Sequence, residues 1–171
     1  MPFGSEGPEE GIGVALSGGG FRATLFHVGA LWRLVELGVL PRVARVASVS
    51  GGSITAGVLA TNWPALAARP DIPTYTPRLA VEPLRAFCRQ SIDSAAIGEG
   101  IFSPFASVGD VVERKYRKHL FGDATLADLP AAPRFIFNAT NLQTGRSFRL
   151  SKPYMGDYRI GLLRNPTIPV A

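Results

Sequence analysis

The chain has 171 residues, enough for one domain with a sizeable core, and its hydrophobic content of 46% argues against a disordered protein. Its single cysteine, Cys88, excludes an intramolecular disulfide, and we interpret it as a small apolar core residue. The first ten residues lack a secretory-signal pattern, and no stretch of about 18 apolar residues predicts a membrane-spanning helix. We therefore expect a cytoplasmic protein or one that binds membranes peripherally.

The formal net charge is +5, and most of the positive residues are arginines. A basic protein can bind nucleic acid or an anionic lipid surface, or use its charge only for solubility. The aromatic residues are not interleaved with basic ones in the way that base stacking requires, so we expect no nucleic-acid partner. An anionic membrane surface remains a candidate partner.

Strand and helix signals alternate over the first 61 residues. Residues 11–16 form an apolar run that ends at a glycine cluster and predicts a buried strand. Residues 23–37 are apolar nearly all round and precede Gly38, which predicts a buried helix with a glycine cap. The valine-rich residues 43–49 predict a second inner strand, and residues 53–61 predict another helix. This order is typical of an α/β fold with a mainly parallel central sheet and crossover helices.

The remaining signals predict two more helices and a hairpin. Pro83 suits the first turn of a helix, and a further helix is predicted from Ser107 onward. The second of these helices carries a run of basic residues, Arg114, Lys115, Arg117 and Lys118. We interpret this run as a solvated face, with contact to lipid headgroups as the alternative. Residues 134–140 and 146–150 flank a Thr-Gly turn and predict a hairpin.

The first motif with chemical meaning is the segment Ser17-Gly18-Gly19-Gly20-Phe21-Arg22, between the first predicted strand and the first predicted helix. Glycines let backbone N–H groups turn towards a common point, and a helix N-terminus adds positive potential. The segment therefore predicts a site for negative charge. Phosphate, the pyrophosphate of a dinucleotide and the oxyanion of an acyl-transfer intermediate are the three competing ligands.

The spacing of Gly18, Gly20 and Ala23 also matches a dinucleotide-binding loop. That function needs an acidic residue near the end of the second strand to bind the ribose. The chain has Ala47-Ser48-Val49-Ser50 there, without a carboxylate, and it lacks the G-K-[ST] of a phosphate-binding loop. A nucleotide-binding domain is therefore kept only as an alternative.

The second motif, Ser48-Val49-Ser50-Gly51-Gly52-Ser53, lies where the second predicted strand meets the next helix. A nucleophile elbow needs small residues two before and two after its serine, because the turn is very tight. Ser48 and Gly52 meet this need, although a glycine is usual at the first of these positions. We expect Ser50 to project from the sheet edge, with the amide of Gly51 near a developing oxyanion.

A histidine does not fit as the general base of such a site. The chain has two histidines, His27 and His119. We interpret His27 as a packed core residue, because it follows the glycine motif on a buried helix. His119 ends the basic helix without an evident acidic partner, so a surface role is expected. A dyad with a carboxylate base therefore fits better than a triad with histidine.

The order of strand, S-G-G-G-x-R, buried helix, strand and x-S-x-G-G resembles the opening of the patatin-like phospholipase family. The resemblance is close from Gly11 to about Thr61 and looser through Phe137-Asn138-Ala139-Thr140-Asn141 and Gly156-Asp157-Tyr158. It implies a three-layer α/β/α sandwich over residues 11–171, after a flexible arm of residues 1–10. It also implies hydrolysis of lipid acyl esters by a Ser–Asp dyad, without a metal or an organic cofactor.

Carried over to this sequence, the resemblance makes Ser50 the nucleophile and gives the oxyanion-hole amides to Gly18, Gly19 and Gly20, beside that of Gly51. Arg22 would help to fix the glycine loop. The family's catalytic aspartate lies in a D-G-[GA] motif, and these 171 residues contain none. We therefore expect a partial domain that ends before its base and that is inactive by itself. The alternative from another class is an inactive remnant that binds lipid or protein.

Overall fold

The computed structural model of the protein describes residues 10–68, 75, 81–89 and 108–171. Within them a sheet of six strands is ordered in space as in sequence. The strands are β1 (Ile12–Leu16), β2 (Val43–Val49), β3 (Arg134–Asn141), β4 (Arg146–Leu150), β5 (Tyr154–Asp157) and β6 (Gly161–Arg164).

The first three strands are parallel, and the last three continue the sheet antiparallel. Leu16 of β1 pairs with Ser48 of β2, and Val49 of β2 pairs with Asn138 of β3. The ends of these three strands therefore meet at one edge of the sheet, which we call the carboxyl edge. The predicted α/β fold is confirmed, with a mixed sheet whose parallel part is its N-terminal half.

The helices are α1 (Gly20–Glu36), α2 (Gly51–Thr61), α3 (Trp63–Ala68), α4 (Val81–Cys88) and α5 (Val108–Tyr116), with short 3₁₀ turns at Leu40–Arg42 and Leu126–Asp128. Helix α1 begins three residues before its predicted start, and α2 begins two before. Glycine has low helix propensity, so the sequence alone placed these residues in loops. In the fold, packing between the two helix starts compensates for that low propensity. None of the described helices is both long and apolar enough to cross a membrane.

Helix α2 forms the centre of the core. Every residue from Ile54 to Ala60 is buried. A one-turn π-helix, Arg117–Phe121, follows α5 and brings the ring of Phe121 against Gly57. The predicted start of this helix at Ser107 lies outside the described residues.

Most of the predicted basic face is solvated. The side chains of Arg114, Arg117 and Lys118 are exposed, and Arg117 forms an ion pair with Asp123 at 3.1 Å. Cys88 is half-buried at the end of α4, and burial raises the pKa of its thiol. The predicted hairpin is confirmed as β3 and β4. Strands β5 and β6 are not evident from the sequence, because four-residue strands carry little periodic signal.

Candidate active site

Ser50 lies directly between β2 and α2, at the carboxyl edge of the sheet. Its backbone has φ 52° and ψ −125°, a conformation that residues with a side chain rarely adopt. Such strain costs about 1–3 kcal/mol and persists only where the surrounding structure imposes it. The side chain of Ser50 is exposed. A sharp strand-to-helix turn with an outward-facing hydroxyl is therefore present where the second motif predicted it.

The turn is possible because glycines follow Ser50. A Cβ on Gly51 would collide with the carbonyl oxygen of Gly20, and one on Gly52 would lie 2.5 Å from the carbonyl oxygen of Leu16. Both positions are buried. The backbone of the turn therefore packs directly on the end of β1 and on the glycine motif that joins β1 to α1. This contact leaves no room for side chains at Gly51 and Gly52.

Polar contacts support the turn from the sheet side. Ser48 is buried, and its hydroxyl accepts a hydrogen bond from the Ser53 hydroxyl at 3.1 Å. The side-chain amide of Asn138 donates to the Ser48 carbonyl at 3.0 Å. Ser48, where a glycine is usual, is therefore accommodated by hydrogen bonding. The role of Asn138 depends on the pairing of β2 with β3, which local sequence does not reveal.

The glycine motif lies beside Ser50. A Cβ on Gly18 would lie 3.1 Å from the Cβ of Ser50 and 3.7 Å from its hydroxyl oxygen. Gly19 is the N-cap of α1, and Gly20 is its first residue. Arg22 is exposed in the first turn of that helix. The structure therefore brings together the two motifs that are separated by some 30 positions in the sequence.

Two helix N-termini converge at this point. Helix α1 begins at Gly20 and α2 begins at Gly51, and the backbones of these two glycines are in contact. Neither helix has an acidic residue in its first turn. The partial positive charge of each N-terminus is therefore not offset locally by a carboxylate, and the positive Arg22 adds to it. The electrostatic environment beside Ser50 favours an anion.

The buried side chain of His27 contacts Ser17, the first residue of the glycine motif. It is 4% exposed, and its Nε2 lies 2.9 Å from the Ser17 carbonyl oxygen and 3.3 Å from the Ser17 hydroxyl. The carbonyl only accepts, so an Nε2–H donates to it. The core position expected for His27 is confirmed. The hydrogen bond to Ser17 was not anticipated, since it depends on how α1 turns back over β1.

Two threonines join the helices that start at the site. Thr24 donates its hydroxyl to the Gly51 carbonyl at 2.9 Å, and Thr55 donates to the Thr24 carbonyl at 3.0 Å. Both side chains are at most 1% exposed. In such surroundings each of these hydrogen bonds contributes about 1 kcal/mol, and an unpaired group would cost more. The threonines fix the distance between the two helix starts.

Ser50 lies at the wall of a cavity of about 560 Å³. The described lining is mostly apolar and comes from α1, α2, α5, the π-helix, the Leu126–Asp128 turn, β3, β4 and the C-terminal residues. Its apolar members include Phe21, Ile54, Val112, Phe121, Leu126, Phe137, Leu150, Ile168 and Val170. No carboxylate or histidine is among the described lining residues. The cavity can hold an apolar chain whose polar end lies near the Ser50 hydroxyl.

Three of the aspartates that follow Ser50 in the sequence make contacts elsewhere in the fold. Asp157 is buried and accepts four hydrogen bonds. Asp128 caps a 3₁₀ turn through Thr125, and Asp123 pairs with Arg117. Asp71 and Asp93 lie outside the described residues. Across the described ranges, no cluster of three or more His, Cys, Asp or Glu residues could bind a metal ion.

Comparison with solved structures gives the same architecture. Human GIVD cytosolic phospholipase A2 in complex with methyl gamma-linolenyl fluorophosphonate superposes with a TM-score of 0.58 at 20% sequence identity. A second structure of that protein, with the same inhibitor and terbium chloride, gives a TM-score of 0.57 at 21% identity. Each match covers 92% of this chain but 27% of the other, so the likeness concerns the fold of one part of a longer protein.

No curated protein sequence matches this chain significantly. The patatin-like phospholipase family, in contrast, matches residues 14–160, which include both motifs, the end of β1 and the strands β2 to β5. With this match and the fold described above, the chain belongs to the patatin-like phospholipase family.

Proposed function

We propose that the chain carries the nucleophile and the oxyanion-binding part of a lipid acyl-ester hydrolase, with Ser50 as nucleophile. The observation that carries this proposal is the position of the strained Ser50 turn, between two helix N-termini and an apolar cavity of about 560 Å³. A reactive hydroxyl, an anion-stabilising backbone and an apolar chain site are three of the parts that this chemistry needs, beside a general base. The family supports lipid hydrolysis in general terms.

In the first step the Ser50 Oγ attacks the ester carbonyl carbon while its proton passes to a general base. The carbonyl oxygen becomes an oxyanion. When the intermediate collapses, the bond to the alcohol oxygen breaks, and the alcohol leaves with that proton. Water then repeats the sequence on the acyl-serine, releasing the fatty acid and restoring the Ser50 hydroxyl.

The oxyanion is assigned to the backbone amides of Gly18, Gly19, Gly20 and Gly51. The contact between Gly18 and Ser50 supports this assignment, as do the helix starts at Gly20 and Gly51. Removing one donor from such a site costs about 10²–10³ in rate. Arg22 adds positive charge at the same helix start and would steady the glycine loop.

The acyl chain is assigned to the cavity. Its apolar lining removes the chain from water, which stabilises binding by about 0.8 kcal/mol per buried CH₂ group. A long-chain ester should therefore be preferred over a short one. The alcohol part of the substrate would face the exposed side of Ser50 and the membrane surface.

The general base is carried over from the family resemblance as an aspartate in a D-G-[GA] motif. The 171 residues contain no such motif, and Asp157, Asp128 and Asp123 are occupied by other contacts. Loss of a general base typically lowers the rate by about 10²–10⁴-fold. The chain by itself is therefore proposed to have little or no turnover.

The direct test is covalent labelling of Ser50 by a fluorophosphonate bearing a long alkyl chain, with the modified residue identified by mass spectrometry. We expect label on Ser50, none in Ser50→Ala, and slower labelling when the alkyl chain is short. In a form of the protein that also supplies the general base, ester hydrolysis should likewise disappear in Ser50→Ala. Labelling of another serine at the same rate, or hydrolysis that survives Ser50→Ala, would remove Ser50 from the mechanism.

The absence of a D-G-[GA] motif favours one second candidate, a lipid-binding domain without turnover. In that case a fluorescent fatty acid should bind in the cavity, and Ile54→Trp should obstruct it. Ester hydrolysis should remain at background in every form of the protein that folds. Turnover that depends on Ser50 would exclude this alternative.

A further inference from the structure

The positive charge of the chain is concentrated at its C-terminal end. Residues 129–171 contain six of the 18 lysines and arginines but one of the 13 acidic residues, Asp157. The other 128 residues therefore hold twelve basic and twelve acidic side chains and are electrically balanced. The net charge of +5 belongs entirely to the segment that begins shortly before β3.

The same segment exposes large apolar side chains at two adjacent turns. Leu142, in the β3–β4 turn, is 93% exposed, and Tyr158 and Ile160, in the β5–β6 turn, are 72% and 60% exposed. Two exposed arginines, Arg146 and Arg159, accompany them. We call these five residues the hairpin tips.

The hairpin tips lie at the carboxyl edge, on the same side of the sheet as Ser50. Strand β3 runs parallel to β2 and continues for three residues beyond Asn138, the partner of Val49. At about 3.3 Å per residue, the following turn extends about 13 Å past the level of Val49. Strand β5 has the same direction as β3, because both pair antiparallel with β4, so its turn leaves the sheet at the same edge.

Asp157 holds the two turns together as one surface. One carboxylate oxygen accepts hydrogen bonds from the Asn141 amide at 2.8 Å and the Thr144 hydroxyl at 3.3 Å. The other accepts from the backbone N–H groups of Arg159 at 2.7 Å and Ile160 at 3.0 Å. Because Asp157 is 3% exposed, the acidic residue nearest the tips is withdrawn from the surface. What faces the solvent there is apolar and cationic.

We infer that the hairpin tips are a membrane-contact surface that seats the Ser50 edge of the protein on an anionic lipid bilayer. This inference builds on the proposed function, because a lipid hydrolase must reach an ester held in a membrane. Leucine, isoleucine and tyrosine side chains enter the interfacial region, and arginines attract anionic headgroups. The guanidinium carbon of Arg146 lies 5.5 Å from the centre of the Tyr158 ring, so both groups reach the same interface.

The apolar residues distinguish a bilayer from other polyanions. A nucleic acid or an acidic protein face would bind arginines without a need for Leu142 at 93% exposure beside them. An anionic bilayer binds both the apolar side chains and the arginines, because it has negative headgroups above an apolar interior.

The experiment is cosedimentation of the protein with vesicles of phosphatidylcholine, with and without phosphatidylserine. Ser50→Ala protein is used throughout, so that hydrolysis cannot change the vesicles. We expect binding that requires phosphatidylserine and weakens with salt. The pair Leu142→Ser and Ile160→Ser together should weaken binding about tenfold, as expected for withdrawing two apolar side chains that are partly inserted. Arg159→Gln should weaken it about fivefold, which is the usual contribution of one basic residue near such a surface.

Matched controls come from the opposite edge of the sheet. Leu37, which is 56% exposed, follows α1, and the exposed Arg42 precedes β2. Leu37→Ser and Arg42→Gln remove the same kinds of exposed side chain, one apolar and one basic, but leave the hairpin tips unchanged. We expect both variants to bind vesicles as the parent does. Thermal unfolding should confirm that every variant is folded. Equal losses in tip and control variants, or binding that ignores phosphatidylserine, would overturn the inference.

Two further outcomes separate this inference from neighbouring ideas. If the tips instead join two copies of the chain, analytical ultracentrifugation will show a dimer that the Leu142→Ser and Ile160→Ser pair abolishes, and the vesicle inference fails. Labelling of Ser50 by a short-chain fluorophosphonate in solution should be insensitive to the tip variants. Tip-dependent vesicle binding by a protein whose Ser50 is not labelled by the fluorophosphonate would refute the proposed function and leave the membrane surface standing.

Discussion

The two halves of the sheet use their residues in opposite ways. From β1 to α2, backbone segments pack directly against each other, as Gly51 does against Gly20. Polar side chains there, such as Thr24, are fully buried and hydrogen-bonded. From β3 to β6, apolar and basic side chains face outward at the turns, and the segment around them carries the net charge. The first half has little freedom to vary, because its geometry holds Ser50 in a strained turn. The second half can change its surface without disturbing the site.

The largest effect should come from a single methyl group in the first half. Gly51→Ala places a Cβ onto the carbonyl oxygen of Gly20. We therefore expect the free energy of unfolding to fall by about 3 kcal/mol or more, or the variant not to fold. Gly29→Ala is the control: it lies in α1 with open space around it and should stabilise the helix by about 0.5–1 kcal/mol. Chemical unfolding of both variants measures this contrast. A tolerated Gly51→Ala would show that the two helix starts are not closely packed.

Asp157→Asn tests the one buried carboxylate of the second half. Burial by itself raises the pKa of Asp157, but hydrogen bonds from Ile160, Asn141, Arg159 and Thr144 outweigh it and lower the pKa below the usual range. A lowered pKa in the folded state stabilises the fold above the unfolded pKa of about 3.9, and this stability is lost as pH falls through the folded value. The variant should therefore have a lower melting temperature at pH 7 and approach the parent below about pH 4.

If Asp157→Asn and the parent differ in melting temperature by the same amount at all pH values, Asp157 acts through its shape and not its charge. Asp123→Asn is the matched control, because that side chain is 92% exposed. Its melting temperature should stay close to that of the parent at both pH values.

His27 is the next test of the first half. His27→Leu removes the donor to the Ser17 carbonyl, which should cost about 1–3 kcal/mol in stability and slow labelling of Ser50. His27→Gln keeps an N–H at nearly the position of Nε2 and should recover much of the labelling rate. Paired measurements of unfolding and of labelling separate the two contributions. Equal labelling in both variants would assign His27 to packing alone.

Ser50→Gly should raise stability while it removes the nucleophile. Glycine adopts positive φ without the strain of serine, and the gain should exceed its entropic cost by about 1 kcal/mol. Asn165→Gly provides the comparison, since Asn165 also has positive φ, at 49°, but belongs to no proposed site. Thermal unfolding measures both. A destabilised Ser50→Gly would show that the Ser50 side chain supports the turn instead of being strained by it.

The smallest effect is expected at the hairpin tips. Leu142→Ala should change the free energy of unfolding by less than about 0.5 kcal/mol, because the side chain is 93% exposed. Leu31→Ala in α1, where the side chain is 1% exposed, should cost about 2–5 kcal/mol. Denaturant titrations of the two variants give the contrast directly. A large loss for Leu142→Ala would mean that the tip packs against the protein in solution.

The sequence by itself determined the local features of the candidate active site. Alternating apolar runs, glycine caps and the two glycine-rich motifs located β1, α1, β2 and α2 and placed Ser50 on the turn between the last two. These features depend on residues close in the chain, so their signal survives without the fold. The helix starts were displaced by two or three residues, because Gly20 and Gly51 are held in helices by contacts that only the folded chain makes.

Only the tertiary structure decided which residues distant in the sequence contact and support one another. Asn138 braces Ser48 across 90 positions of sequence, and Thr24 bonds Gly51 across 27. The lining of the cavity and the union of the two turns by Asp157 likewise join distant segments. Such contacts are set by strand register and helix crossover, which periodicity and composition do not encode. The sequence could name the candidate groups, whereas their support and the membrane orientation proposed for them depend on the assembled sheet.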